Sequence, residues 1–168
     1  MSSRASFQYN LKRSPFLRPL HTFDTSGIEG DPRPKRRWAL KGEKIRPPYM
    51  GSHIRKSAHG TACPRTGEFY GLIFSHSDTQ VFQTFLDHTN SDICFEHPKN
   101  ILILDNASWH RCEKINWGRF EPVFLPAYSP DLNPMELLWL VMRSEWFSDF
   151  YAETEDQLMD RICLTLNW

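Results

Sequence analysis

Ile101, Leu102, Ile103 and Leu104 form an unbroken apolar run that ends at Asp105, and this run constrains the fold more than any other stretch of the 168-residue chain. A half-buried surface strand alternates apolar and polar positions. An uninterrupted run instead suits a strand buried on both faces of a mostly parallel sheet. Asp105 then falls at the carboxyl end of the strand, where strand ends and the loops after them form the ligand crevice of open α/β sheets. Downstream, PAYSPDLNP (126–134) carries three prolines together with turn-forming Asp and Asn, which predicts a rigid, shaped loop and not a helix. Asn133 reads as an N-cap, with Pro134 at the first helical position and Glu136 in the first turn. Taken singly, Asp105 is as readily a turn or cap residue, and Glu136 a partner of the helix dipole. Taken together, they are two carboxylates aimed at one crevice.

The segment LDNASWH (104–110) resembles the second catalytic motif of DDE-type transposases, and LPAYSPDLNPMELLW (125–139) resembles their third. The likeness is to the mariner-like superfamily in its bacterial insertion-sequence branch. It marks Asn106, His110, Tyr128, Ser129, Pro130, Asp131, Asn133, Pro134 and Trp139 as residues supporting the two acids. A third segment, FDTSGIEGDPRPKRRWALKGEK (23–44), is similar to the family's first motif. There an Asp ends a strand, an acid follows five positions later, and a tryptophan precedes a Lys-Gly turn. This places the first catalytic acid on Asp24, with Glu29 and Asp31 as rivals and with Thr25 where many relatives carry Glu. Without the resemblance, Asp24 reads as a turn residue before Thr25, Ser26 and Gly27. Thirty residues separate Asp105 from Glu136, fewer than relatives commonly have, which implies a trimmed helix between them.

The fold so implied is α/β and ribonuclease-H-like, a mixed central sheet flanked by helices, with Asp24, Asp105 and Glu136 converging from separate elements. Three neighbouring carboxylates stay ionised only beside a cation, and hard oxygen donors favour Mg2+ or Mn2+ over zinc. Two ions about 4 Å apart would activate water and stabilise the leaving oxygen of an in-line phosphodiester displacement. The resemblance therefore implies metal-dependent cleavage at element ends followed by strand transfer. The expected partner is double-stranded DNA, both element ends and target, and relatives work as homodimers. No helix-turn-helix pattern precedes Asp24, so end recognition is expected to need a separate helix-turn-helix chain or a longer protein. The competing expectation is a truncated or domesticated copy that binds DNA without cutting it. A general nuclease of the same fold is disfavoured by the SPDLNPMELLW motif.

Charge distribution bears on the DNA partner. The formal net charge is zero, yet residues 1–60 hold 13 Lys and Arg against 4 Asp and Glu, and residues 61–168 hold 7 against 16. A basic part thus sits beside an acidic one, as phosphate binding next to a carboxylate site requires. The basic residues crowd after the first motif: Arg33, Lys35, Arg36, Arg37, Lys41, Lys44 and Arg46, interleaved with Trp38 and stiffened by prolines. Such a run is ordinarily a solvated face. Here it is expected to track a DNA backbone, where neutralised phosphates release counterions and aromatics stack on bases. The four cysteines are scattered without metal-ligand spacing and read as free thiols. With no secretory signal or membrane-length apolar run, the expected setting is the cytoplasm, at the nucleoid.

Residues 1–19 are basic and aperiodic, with prolines at 15 and 19, and are expected to be a poorly ordered segment before a catalytic domain spanning 20–168. The first strand reads as weak, since Arg18, Pro19 and His21 interrupt its apolar residues. One expectation is that the frame before about Leu20 is not the ancestral one, or that the copy is truncated. Residues 53–75 read as a hairpin turning at PRTG. Asp78 caps a helix with Val81, Phe82, Phe85 and Leu86 on one face. A short helix follows Trp109, and Val123 to Leu125 make a brief buried strand. A helix after Pro134 packs through Met135, Leu138, Trp139, Val141, Met142 and Trp146. A last helix, capped by Thr154, buries Leu158, Ile162 and Leu166. His53, His59, His76 and His88 share no helix-face spacing and read as ordinary surface or satisfied residues.

Overall fold

The computed structural model describes residues 19–31, 38, 40–42, 53–92, 98–127 and 129–166. Five strands, β1 (Leu20–Glu29), β2 (Arg55–Ala62), β3 (Phe69–Phe74), β4 (Asn100–Leu104) and β5 (Phe120–Phe124), form one sheet in the order β3-β2-β1-β4-β5. β1 pairs antiparallel with β2 and parallel with β4, and β4 pairs parallel with β5. The sheet is therefore mixed. Among the described residues three α-helices flank it, α1 (Thr79–Asp92), α2 (Pro134–Trp146) and α3 (Glu155–Leu166). This is the ribonuclease-H-like arrangement that the sequence motifs imply.

The expected weak first strand is in fact the centre of the sheet. β1 runs through Asp24 to Glu29, so Asp24 neither ends the strand nor turns the chain. The reason is tertiary. Polar residues His21, Thr22, Asp24 and Ser26 are buried between the covering helices, where neighbouring strands satisfy the backbone whatever the local propensity. Pro19, which cannot donate to a ladder, sits just outside the strand and contributes only its carbonyl, which accepts from the Ile101 N–H at 2.9 Å. Residues 1–18 lie outside the described residues.

Each face of the sheet carries its own core. α1 covers one face with Phe82, Phe85 and Leu86, against Phe23, Leu102 and Leu104 of the sheet. On the other face α2 and α3 bury Met135, Trp139, Met142, Leu158 and Ile162 over Ile28 and Ala58. That second cover leaves β4 and β5 only partly protected: Ile101 and Ile103 are half-buried and Val123 is 44% exposed. The expected burial of Ile101–Leu104 on both faces therefore holds for one face only. The same geometry corrects the reading of α2, whose Leu138 and Val141 are exposed while Met135, Trp139 and Met142 point inward.

The hairpin turns at residues 64–67, where Gly67 adopts φ 75° and its N–H reaches the Cys63 carbonyl at 2.8 Å. Asp78 caps α1, accepting from the Val81 N–H at 2.8 Å, and Thr154 caps α3 through the Gln157 N–H at 3.3 Å. Leu166 is only partly buried. Ser108–Arg111 is a single 3-10 turn in place of the expected short helix, and the proline loop contains a second one at Pro130–Leu132. Cys63, Cys112 and Cys163 are free thiols, and Cys94 lies outside the described residues. Among the described residues no helix is long and apolar enough to cross a membrane.

Candidate active site

The parallel ladder between β1 and β4 ends at the pair Thr22↔Ile103. Asp24 and Asp105 each lie two residues beyond that pair, so the two acids emerge at the same level of adjacent strands and, by the period-two alternation, on the same face. Glu136 arrives from the first turn of α2. Its helix starts where the sequence places it: Asn133 Oδ1 accepts from the Met135 N–H at 3.2 Å, and Pro134 opens the helix. Asn133 also donates from Nδ2 to the Phe23 carbonyl at 3.1 Å. One buried side chain thus caps the helix carrying Glu136 and ties it to the residue preceding Asp24.

Asp24, Asp105 and Glu136 line a single cavity of about 390 Å3, together with Asn106, Ala107, Leu125, Pro126, Ala127, Ser129 and Asn133. The rivals Glu29 and Asp31 are not among its lining residues. Both aspartates are held in the same way. Asp24 Oδ1 accepts from the Thr25 N–H at 2.8 Å, while Oδ2 is buried with no hydrogen-bond partner. Asp105 Oδ1 accepts from His110 Nδ1 at 2.8 Å and from the Ala107 N–H at 3.2 Å. Each aspartate thus has one oxygen anchored by hydrogen bonds to the protein.

Their environments push the two acids apart. Burial raises the Asp24 carboxyl to about 7, with the charges of Glu136 and Asp105 adding to it and the Thr25 N–H and the Trp139 indole opposing. The His110 hydrogen bond holds Asp105 below the ordinary carboxylate range, outweighing its partial burial. A buried acid with an unpartnered oxygen beside two more carboxylates is an arrangement that a cation would stabilise. The donor set is all oxygen, so the residues fit a hard divalent ion. Among the described residues no three His, Cys, Asp or Glu side chains stand together in metal-ligating geometry.

A carboxyl whose folded pKa lies above its unfolded value holds its proton more tightly when folded. Its contribution to stability is therefore favourable at low pH and is lost as pH rises from 3.8 to about 7. In metal-free protein, the Tm advantage of Asp24→Asn over the parent chain should widen across that window and level off above it. A difference that stays flat with pH would show that Asp24 is solvated.

The supporting residues divide by place. Asn106 donates from Nδ2 to the Leu125 carbonyl at 2.5 Å and accepts from Arg111 Nε at 3.0 Å, tying the Asp105 loop to the end of β5. Ser129 is a lining residue of the cavity, Pro130 and Asp131 belong to the 3-10 turn, and Asp131 is exposed. Trp139 is fully buried and meets Phe69 edge to face at 6.2 Å. Tyr128 lies outside the described residues, as do Arg33, Lys35, Arg36, Arg37, Lys44 and Arg46 of the basic run. Trp38 and Lys41 are exposed. Of the four histidines, His53, His76 and His88 are at the surface. His59 corrects the expectation. It is completely buried among Phe23, Phe74 and Phe85, bonded to Ser77 Oγ at 3.0 Å through Nε2, with Nδ1 unpartnered, and held down to about 4 by burial.

One contributor has no local signal in the sequence. Gly60 pairs directly with Asp24 across the β1–β2 ladder. A Cβ there would stand 2.8 Å from Phe69 Cε2, 2.9 Å from Met135 Cε and 3.0 Å from Trp139 Cη2, so glycine is what lets Phe69 and α2 close over the sheet beside Asp24.

The chain is 33% identical over 109 residues to the uncharacterized protein y4pE/y4sA of Sinorhizobium fredii, covering 64% of this chain and 80% of that one. Its fold is similar to a pre-cleavage Mos1 transpososome (TM-score 0.69, 17% identity, 91% of this chain and 49% of that chain). It is also similar to the mariner Mos1 paired-end complex with Mg (TM-score 0.66, 20% identity, again 91% and 49%). The chain thus spans about half the length of these transposase structures. The model of the DDE superfamily endonucleases matches residues 19–159, and the chain belongs to that family.

Proposed function

We propose that residues 20–168 are the catalytic domain of a DNA transposase of the mariner-like superfamily, in its bacterial insertion-sequence branch. On this reading it cuts DNA at element ends and joins a freed 3′-hydroxyl to target DNA. The observation that carries the reading is the convergence of Asp24, Asp105 and Glu136 on one cavity, two of them level on adjacent strands. Their uncommitted oxygens would hold one or two Mg2+ or Mn2+ ions. Bound there, the metal supplies charge neutralisation and activates a water or a DNA 3′-hydroxyl for in-line displacement.

The chain's own residues do the rest. Anchored oxygens fix where Asp24 and Asp105 point, and Asn133 locks the Glu136 helix to β1. Arg33, Lys35, Arg36, Arg37, Lys41, Lys44 and Arg46 neutralise phosphates of the DNA, and Trp38 stacks on exposed bases. Recognition of specific ends would come from a helix-turn-helix region on another chain or a longer protein. Action on paired ends would need two copies, within the cytoplasm at the nucleoid. A second reading is a truncated or domesticated copy that binds DNA without catalysis.

Cleavage of element-end DNA with Mg2+ or Mn2+, run beside a gel-shift and an unrelated duplex, separates the readings. End-specific nicking is the expected result. A shift without nicking would favour the remnant, and indiscriminate nicking a general nuclease.

A further inference from the structure

We propose that His110 is the positioning residue of Asp105. On this reading it locks Oδ1 of the carboxylate so that Oδ2 is the oxygen presented to the cavity. The inference deepens the metal-dependent reading above and rests on it. Its basis is a one-sided hydrogen bond. His110 Nδ1 meets Asp105 Oδ1 at 2.8 Å, while Nε2 is buried with no partner. A carboxylate oxygen only accepts, so the proton of that bond belongs to Nδ1. A second N–H on Nε2 would be a buried donor without an acceptor, which is costly.

The ring is wedged in place. It is 2% exposed and lies 4.4 Å from Phe82, 5.3 Å edge to face from Phe23, and 5.8 Å from Trp109, centroid to centroid. Phe23 is the residue immediately before Asp24, and its carbonyl is the anchor of Asn133. The packing that immobilises the imidazole is therefore continuous with the strand carrying the first acid and the helix carrying the third. Because the Ala107 N–H also binds Oδ1, both bonds to Asp105 fall on the same oxygen, and a carboxylate so held offers one oxygen outward. The 3-10 turn at Ser108–Arg111 brings a residue five positions along the chain back under Asp105.

The test sets Asn against Leu at position 110. Asn Nδ2 stands where His Nδ1 stood and keeps the donor, but it leaves the aromatic box underfilled. Leu fills the box and removes the donor. Mn2+ affinity, read by electron paramagnetic resonance, should be largely kept in His110→Asn and should fall roughly 10–100-fold in His110→Leu. A purely structural role predicts the opposite order and would overturn the inference. Nitrogen-15 NMR of the metal-free parent chain gives a second readout. The His110 side-chain proton should correlate with Nδ1, and its resonance should move in Asp105→Ala. A proton found on Nε2 instead would sink the proposal whatever the metal does. A parent chain with the Nδ1 proton in place but no Mn2+ uptake would instead overturn the metal-dependent reading, and the proposed purpose of the arrangement with it.

Discussion

Asp105→Asn is expected to cut metal-dependent nicking by roughly 10^3-fold or more, the scale on which removal of a charge-stabilising group acts, while DNA affinity stays level or rises. The substitution is close to isosteric. Asn Oδ1 can still accept from His110 Nδ1 and the Ala107 N–H, so the anchored half of the side chain survives. What disappears is the anionic oxygen toward the cavity, the half that a divalent ion requires. Loss of a negative charge beside the path of a phosphate weakens repulsion, which is why binding should not suffer. Nicking of a labelled element-end duplex, paired with fluorescence anisotropy on the same DNA, reads both effects. An Asp105→Asn chain that nicks at the parental rate would remove Asp105 from the chemistry. A chain that loses nicking and binding together would point to misfolding, which an unchanged Tm would rule out.

The residues of this site differ in how far the sequence alone reveals them, and the difference is physical. Asp105 and Glu136 are legible because their surroundings are local: an apolar run before one, and a capping Asn with a helix-opening Pro before the other. β1 is not. Its polar residues look like a turn to any local rule, and only burial between two cores makes Leu20–Glu29 a central strand. Asp24 is accordingly legible through resemblance and not through pattern, and nothing local in the sequence signals its position in mid-strand. Tertiary packing hides Gly60 in the same way, because the need for glycine comes from Phe69 on the neighbouring strand and from Met135 and Trp139, more than seventy residues away. The exposed leucines of α2 reverse the error. Their spacing looks like a wide buried face, but a helix lying on a sheet that it only partly covers buries a narrow stripe.

That stripe is centred on Trp139, and Trp139→Ala should destabilise the fold by about 3–5 kcal/mol, the range for emptying a large buried aromatic. For a chain of this size, a loss of that order lowers Tm by roughly 10 °C. The damage should fall on the site more heavily than the stability figure implies. Trp139 sits one turn after Glu136 on α2, packs over Gly60 and lies beside Asp24, so the cavity it leaves opens directly onto the acids. Two effects on Asp24 then compete. Losing the indole removes a contact that favours the charged carboxylate, whereas admitting water relieves the burial that opposes it. Burial is the largest cause of the raised value and the indole contact the smallest, so relief should win and the Asp24 pKa should fall from about 7. Carbon-13 titration of the Asp24 carboxyl in metal-free protein would read this directly, with Trp139→Phe as a milder variant that keeps the packing but not the N–H. If the titration midpoint rose in Trp139→Ala, the indole would outweigh burial, and the account of why Asp24 holds its proton would have to be reversed.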